Sequence, residues 1–191
     1  MSETADPRSQ LDIRLRPEVQ GDDEAIHQIV RAAFNDDATA ELVARIRQSP
    51  NYIPELSLVA EHAGDVVGHI MLHHLDLRDG ATTHEVVSLS PVSVRPDVQR
   101  RGVGSALIRD ATERADQRGE PLIVLEGSPA YYPRFGFRPA REFGITITLP
   151  SWAPEDAAMV YPLSRYRPEI KGHVVYPPAF DRVNADREQS L

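Results

Sequence analysis

The segment 91–108, PVSVRPDVQRRGVGSALI, leads from a β-branched run into an amphipathic helix through a loop holding Arg100, Arg101, Gly102 and Gly104. A strand that runs into glycines and then a helix is the joint of a mixed α/β fold. The first turn of such a helix has N–H groups without intrahelical acceptors, and its dipole favours negative charge there, so the joint can hold an anion. The same letters also serve a helix that simply packs closely on its strand. Two nucleotide-binding patterns are excluded. Ser105 and Ala106 follow Gly104 where a P-loop requires Lys and then Ser or Thr, and Leu107 stands where the dinucleotide fingerprint needs a third small residue.

The rest of the chain supports a mixed sheet flanked by helices. DIRLR from Asp12 alternates as a short strand. A helix follows, capped by Asp22 or Asp23, with Ala25, Ile26, Ile29, Val30, Ala33 and Phe34 on one face; a shorter one spans about 39–47. The loop SPNYIPE ends this helical region. LSLVAEH, VVGHIMLHHLDL and EVVSLSPVSVR, separated by AGD and RDGATT, read as an antiparallel meander. A helix over about 101–118 stops at Gly119, and PLIVLEG is a continuous apolar run, as expected of a central strand covered on both faces. Ser128 and Pro129 open one helical turn through Tyr132. FGITITL and AAMVYPL then form an expected closing pair of strands, and HVVY near the end is a candidate edge strand. Neither a repeat nor a composition break marks a second domain. The expected division is a loose segment 1–10, one domain over 11–165, and a tail 166–191 packed through 173–180.

Composition narrows the function. The chain has no cysteine, which removes thiolate chemistry and disulfides. Its net charge of -8 opposes an electrostatic footprint for nucleic acid or an anionic membrane. No apolar run approaches a membrane span, so a cytoplasmic protein is expected, as a monomer or a homodimer. His69, His73, His74 and His84 cluster in the meander, but alternation sends His73 and His74 to opposite faces; no metal is expected, and the histidines read as strand surface residues.

Pro91 removes a ladder donor inside a good strand, which marks an edge or a bulge. A bulged strand splays from its neighbour. If PVSV parts from PLIVL, the exposed backbone can pair with an extended, amide-containing ligand.

These residues resemble the GNAT superfamily of acetyl-CoA-dependent N-acetyltransferases, and most nearly a bacterial subgroup of it. Gln99-Arg100-Arg101-Gly102-Val103-Gly104 matches that family's signature after its fourth strand. Tyr131-Tyr132-Pro133-Arg134-Phe135-Gly136-Phe137 resembles its tyrosine followed by a GF corner. The fold so implied is a mixed, largely antiparallel sheet splayed between strands four and five. The resemblance assigns the backbone of Val92, Ser93 and Val94 to the pantetheine arm of acetyl-CoA. It gives the pyrophosphate to the N–H groups over 100–105, including those of Arg100, Arg101, Gly102, Val103, Gly104 and Ser105. Tyr132 takes the position of the acid that protonates the departing thiolate, with Tyr131 beside it as a packed aromatic. Ser128 stands near the place where many members carry Asn.

The implied reaction is direct attack on the thioester by an amine of a small molecule or a protein, with the Val92 N–H at the developing oxyanion. Glu126 and, second to it, Glu85 are the candidate bases. The acidic charge favours cationic acceptors such as polyamines, aminoglycosides or lysine side chains. A noncatalytic acyl-CoA-sensing or partner-binding domain of the same fold is the alternative.

Overall fold

A computed structural model describes residues 11–181; the segments 1–10 and 182–191 lie outside the described residues. The elements run β1 (Arg14–Pro17), α1 (Asp23–Phe34), α2 (Asp37–Arg47), β2 (Tyr52–His62), β3 (Asp65–Asp79), β4 (Thr82–Val94), α3 (Val103–Arg118), β5 (Leu122–Glu126), β6 (Arg138–Pro139), β7 (Ile145–Thr146), β8 (Ala158–Pro162) and β9 (Gly172–Val175). They build a nine-stranded sheet with the order β1-β2-β3-β4-β5-β8-β6, and β9 joins it by pairing with β3 and β7. All neighbours are antiparallel except β4 with β5 and β7 with β9. The meander, the central position of PLIVL and the mixed, largely antiparallel sheet thus stand as the sequence implies.

Alternation along β3 divides the core between two faces. Ile70 and Leu72 meet α3 through Val103, Leu107, Ile108 and Ala111. Gly68 lies directly beneath that helix, where a Cβ would come within 2.9 Å of Val103 Cγ1 and 3.1 Å of Leu107 Cδ1. Met71, on the other face, packs with Ile26 and Val30 of α1 and with Leu42, Val43 and Ile46 of α2. α2 begins at Asp36, whose carboxylate accepts from the N–H groups of Ala38 and Thr39, a cap of about 1 kcal/mol. Asp22 precedes α1 without capping it; its carboxylate instead accepts from Arg16 at 2.7 Å and from the Val19 N–H at 2.8 Å.

Several local expectations change. Tyr52 and Pro54 lie inside β2 rather than in a loop, with an irregular register between Tyr52 and Ser57. The expected closing pair does not form. Ile145–Thr146 runs parallel to β9, while Ala158–Pro162 pairs with β5 and with Arg138–Pro139. The 3-10 turn Ala140–Phe143 and Gly144, at φ 65°, redirect the chain away from β8. The tail then supplies what that strand needs, and β9 also extends β3 over Asp76–Arg78, beyond the last β2 pair at Tyr52 and His73. The 3-10 turn at the aromatic corner covers Tyr132–Phe135, following a turn in which the Ser128 carbonyl accepts from Tyr131 N at 2.9 Å.

His69 and His73 are wholly buried rather than on the surface, because α1, α2 and the tail cover their face. His69 Nε2 lies 3.1 Å from Ser57 Oγ and 3.4 Å from Glu18 Oε2. Arg47, Tyr52 and Ser57 also donate to the Glu18 carboxylate, and these bonds hold it well below the usual range despite burial. The His73 ring is 5.3 Å from that of Phe180, and its Nδ1 bonds the His74 carbonyl at 3.0 Å.

Burial pushes His73 down to about 4. The unfolded chain binds a proton at about 6.5 that the folded chain refuses, so stability is lost as pH falls through that window. Glu18 adds a loss of the same sign below the ordinary carboxylate range. Urea unfolding at pH 7 and pH 4.5 is expected to show His73→Phe losing about 2 kcal/mol less than the parent on acidification. Parallel losses in the two proteins would remove His73 as a cause.

Candidate functional site

Pairing between β4 and β5 is confined to Val87 with Ile123 and Ser88 with Val124. Beyond it, Ser90 and Pro91 together oppose Met71, since Ile70 pairs with Val92 and Leu72 with Leu89. This is a β-bulge, and it turns β4 away from β5. The Arg95 N–H donates to the Val67 carbonyl at 2.9 Å. Alternation in an antiparallel ladder then gives the backbone of Ser93 to β3 and turns the polar groups of Val92 and Val94 towards the open side. Val94 O accepts from the Gln99 side-chain amide at 3.1 Å. The backbone of Val92 and the N–H of Val94, and not the backbone of Ser93, therefore face the opening, which Ser93 lines without that role.

That opening is a groove of about 570 Å3, walled by Val92, Ser93 and Val94, by Gln99, Arg100, Gly102, Gly104 and Ser105 of the loop and α3, and by Phe34 of α1. α3 starts without a capping side chain and without an acidic residue in its first turn, in contrast to α2. Its leading N–H groups thus have no intrahelical acceptor and are available to an anion. Arg100 at φ 61° and Gly102 at φ 89° give the loop its turn. For Arg100 that conformation is strained, a condition that concentrates at ligand-binding loops. Gly104 keeps the groove open: a Cβ there would come 3.3 Å from Tyr131 Oη and 3.5 Å from Val94 Cγ2. Two expected loop residues do not line the groove. Val103, the first residue of α3, is buried against the sheet over Gly68, and the Arg101 carbonyl accepts from Leu11 N at 3.3 Å.

Tyr131 and Arg134 complete the wall, with the Arg134 guanidinium 3.9 Å from the Tyr131 ring centre. Arg134 is a cation that motif reading passed over; its signal was the spacing of three from Tyr131 in YYPRF. Tyr132 lies behind Tyr131, edge-on to it at 5.1 Å and to Phe137 at 5.6 Å. Its ring packs on Gly127, where a Cβ would collide with it. Burial, with a smaller contribution from Tyr131, pushes its phenol up to about 12.

Glu126 ends β5 on the other face of the sheet and borders a second cavity of about 360 Å3. Tyr176, from the tail, donates to Glu126 Oε1 at 2.6 Å. No sequence signal linked these two residues. Glu85 pairs with Asp76 far from the splay, and its side chain is 65% exposed beside His74. The groove fits a ligand that is anionic at one end and carries an extended amide-bearing arm: an uncapped helix start and two arginines meet the anion, and an open strand edge meets the arm.

Comparison with known proteins agrees with this geometry. Residues 14–140 match the family described as acetyltransferase (GNAT) domain. An uncharacterized N-acetyltransferase of Escherichia coli, YjhQ, is 33% identical over 114 residues, which are 60% of this chain and 63% of that protein. A crystal structure of another Escherichia coli GNAT family N-acetyltransferase, YhbS, in complex with CoA superposes with a TM-score of 0.80 at 26% identity, covering 90% of this chain and 93% of that one. A GNAT family acetyltransferase from Brucella melitensis in complex with acetyl-CoA gives a TM-score of 0.71 at 29% identity, over 89% and 99% of the two chains.

Proposed function

The chain belongs to the GNAT acetyltransferase family, and from that premise we propose that it transfers the acetyl group of acetyl-CoA to a primary amine of a small molecule or a protein by direct attack. The observation that carries this reading is the convergence of the bulged β4 edge and the uncapped start of α3 on one groove. Acetyl-CoA supplies a thioester whose carbonyl carbon forms the new C–N bond and whose C–S bond breaks.

Each protein group then has a task. The N–H groups at the start of α3, with Arg100 and Arg134, hold the pyrophosphate by charge-assisted hydrogen bonds. Val92 and Val94 pair with the pantetheine amides, and the Val92 N–H donates to the carbonyl oxygen as negative charge develops on it. Glu126 takes the first proton from the ammonium, leaving a neutral amine to attack. The second nitrogen-bound proton leaves as the amide forms and replaces the one that Tyr132 gives to the departing thiolate. Tyr132 keeps its own proton at neutral pH, and its phenol donates to the departing sulfur.

Thiol release from acetyl-CoA in the presence of a primary amine tests the reading. Tyr132→Phe is expected to lower kcat about 100-fold while calorimetry finds acetyl-CoA affinity within about twofold of the parent. The edge contacts with Tyr131 and Phe137 survive this change, so the fold is retained. An unchanged kcat would remove Tyr132 from the mechanism.

A further inference from the structure

Resting on that acetyl-transfer reading, we propose that the second cavity is the acceptor site and that it takes a primary amine carried on an apolar arylalkyl body. The wall is formed by Leu149, Pro150, Trp152, Ala153 and Ala157, with Glu126 as the ionisable group among its lining residues. A volume of about 360 Å3 accommodates a ring and a short chain. The charge of the occupant follows from Glu126: a carboxylate at the end of an apolar slot is complementary to one ammonium. Polyamines and aminoglycosides carry several ammonium groups. A second ammonium would lie against Leu149, Pro150 and Ala153, which carry no charge to meet it. On this reading the apolar wall, and not the overall acidity of the chain, sets the choice of acceptor.

The carboxylate is held in place from outside the slot. Tyr176 donates to Oε1 at 2.6 Å, the Tyr176 ring lies 4.8 Å from Phe180, and Phe180 lies 5.3 Å from the buried His73. The tail thus anchors Glu126 to the core and fixes the end of the slot. Segment 126–134 joins the two cavities: Glu126, Gly127, Ser128 and Pro129 border the slot, whereas Tyr131 and Arg134 border the groove. Tyr132, packed on Gly127, stands between them. An amine seated on Glu126 consequently approaches the thioester from the side opposite the nucleotide. Trp152, 78% exposed, borders the slot as a large aromatic surface for the amine's ring.

Trp152 is the sole tryptophan of the chain, so its emission reports on the slot directly. Full-length protein saturated with CoA is titrated with 2-phenylethylamine and, separately, with spermidine. A saturable emission change is expected with the first and none with the second. In thiol-release assays kcat/KM for 2-phenylethylamine should exceed that for spermidine at least about tenfold. Trp152→Ala, at an exposed position, should raise the KM for 2-phenylethylamine about tenfold while the KM for acetyl-CoA stays within about twofold. Preferred turnover of spermidine or of a lysine peptide, with no emission response to 2-phenylethylamine, overturns the arylalkylamine assignment and leaves acetyl transfer standing. Binding of acetyl-CoA without acetylation of any amine overturns the transfer reading, and this assignment with it.

Discussion

Gly104→Asp is expected to weaken acetyl-CoA binding at least about 100-fold, a loss of about 2.7 kcal/mol, while the chain stays folded. The substitution adds negative charge to the first turn of α3, where an acidic residue favours the helix itself. Stability should therefore hold or rise slightly. The new Cβ would lie 3.3 Å from Tyr131 Oη and 3.5 Å from Val94 Cγ2, inside the groove, with its carboxylate facing the place given to the pyrophosphate. Two charge-assisted hydrogen bonds, each worth about 1.5–3 kcal/mol, are replaced by repulsion. Calorimetric titration with acetyl-CoA, beside a thermal melt, checks this. Undiminished affinity in the folded variant would move the anion site away from α3.

Glu126→Gln is expected to lower kcat/KM for a primary amine about 100- to 1000-fold at pH 7. The amide retains the shape of the carboxylate and can still accept from Tyr176 through its oxygen, so the strand end stays in place. What is lost is the group that attracts the ammonium and takes its proton. The variant depends on the small fraction of acceptor already neutral in solution, and an alkylamine titrates at about 10. Its rate should accordingly climb about tenfold per pH unit from pH 7 to pH 9, where the parent's is flatter. A small loss with an unaltered pH profile would leave Glu126 a structural role only.

How much of this the sequence shows differs from element to element. The bulge was legible because Pro91 withholds a ladder donor inside a β-branched run, and the structure places the extra residue there. The start of α3 was legible because two glycines follow a strand end without a capping residue between them. Both are local signals, carried within a few residues. Tyr176 and Glu126 meet across 50 positions, and nothing in either segment announces the other. His69 and His73 alternate like surface residues of a half-exposed strand; only the packing of α1, α2 and Phe180 over them makes that face interior. FGITITL has a good strand pattern, but its partner is decided by Gly144 and the turn before it, so β7 pairs with the tail instead of β8. The acceptor slot is the extreme case, because its apolar wall comes from loop 149–157 and its charge from the end of β5.

Acetyl transfer to nitrogen is tested most directly by following the acetyl group itself. Full-length protein is incubated with acetyl-CoA carrying carbon-13 in the acetyl group and with a panel of primary amines, 2-phenylethylamine and spermidine among them. Labelled acetamide and free CoA thiol are then quantified by mass spectrometry. The expected result is labelled N-acetylamine in an amount equal to the thiol released. Thiol release with labelled acetate in place of the amide, or bound acetyl-CoA that remains intact with every amine, would contradict it.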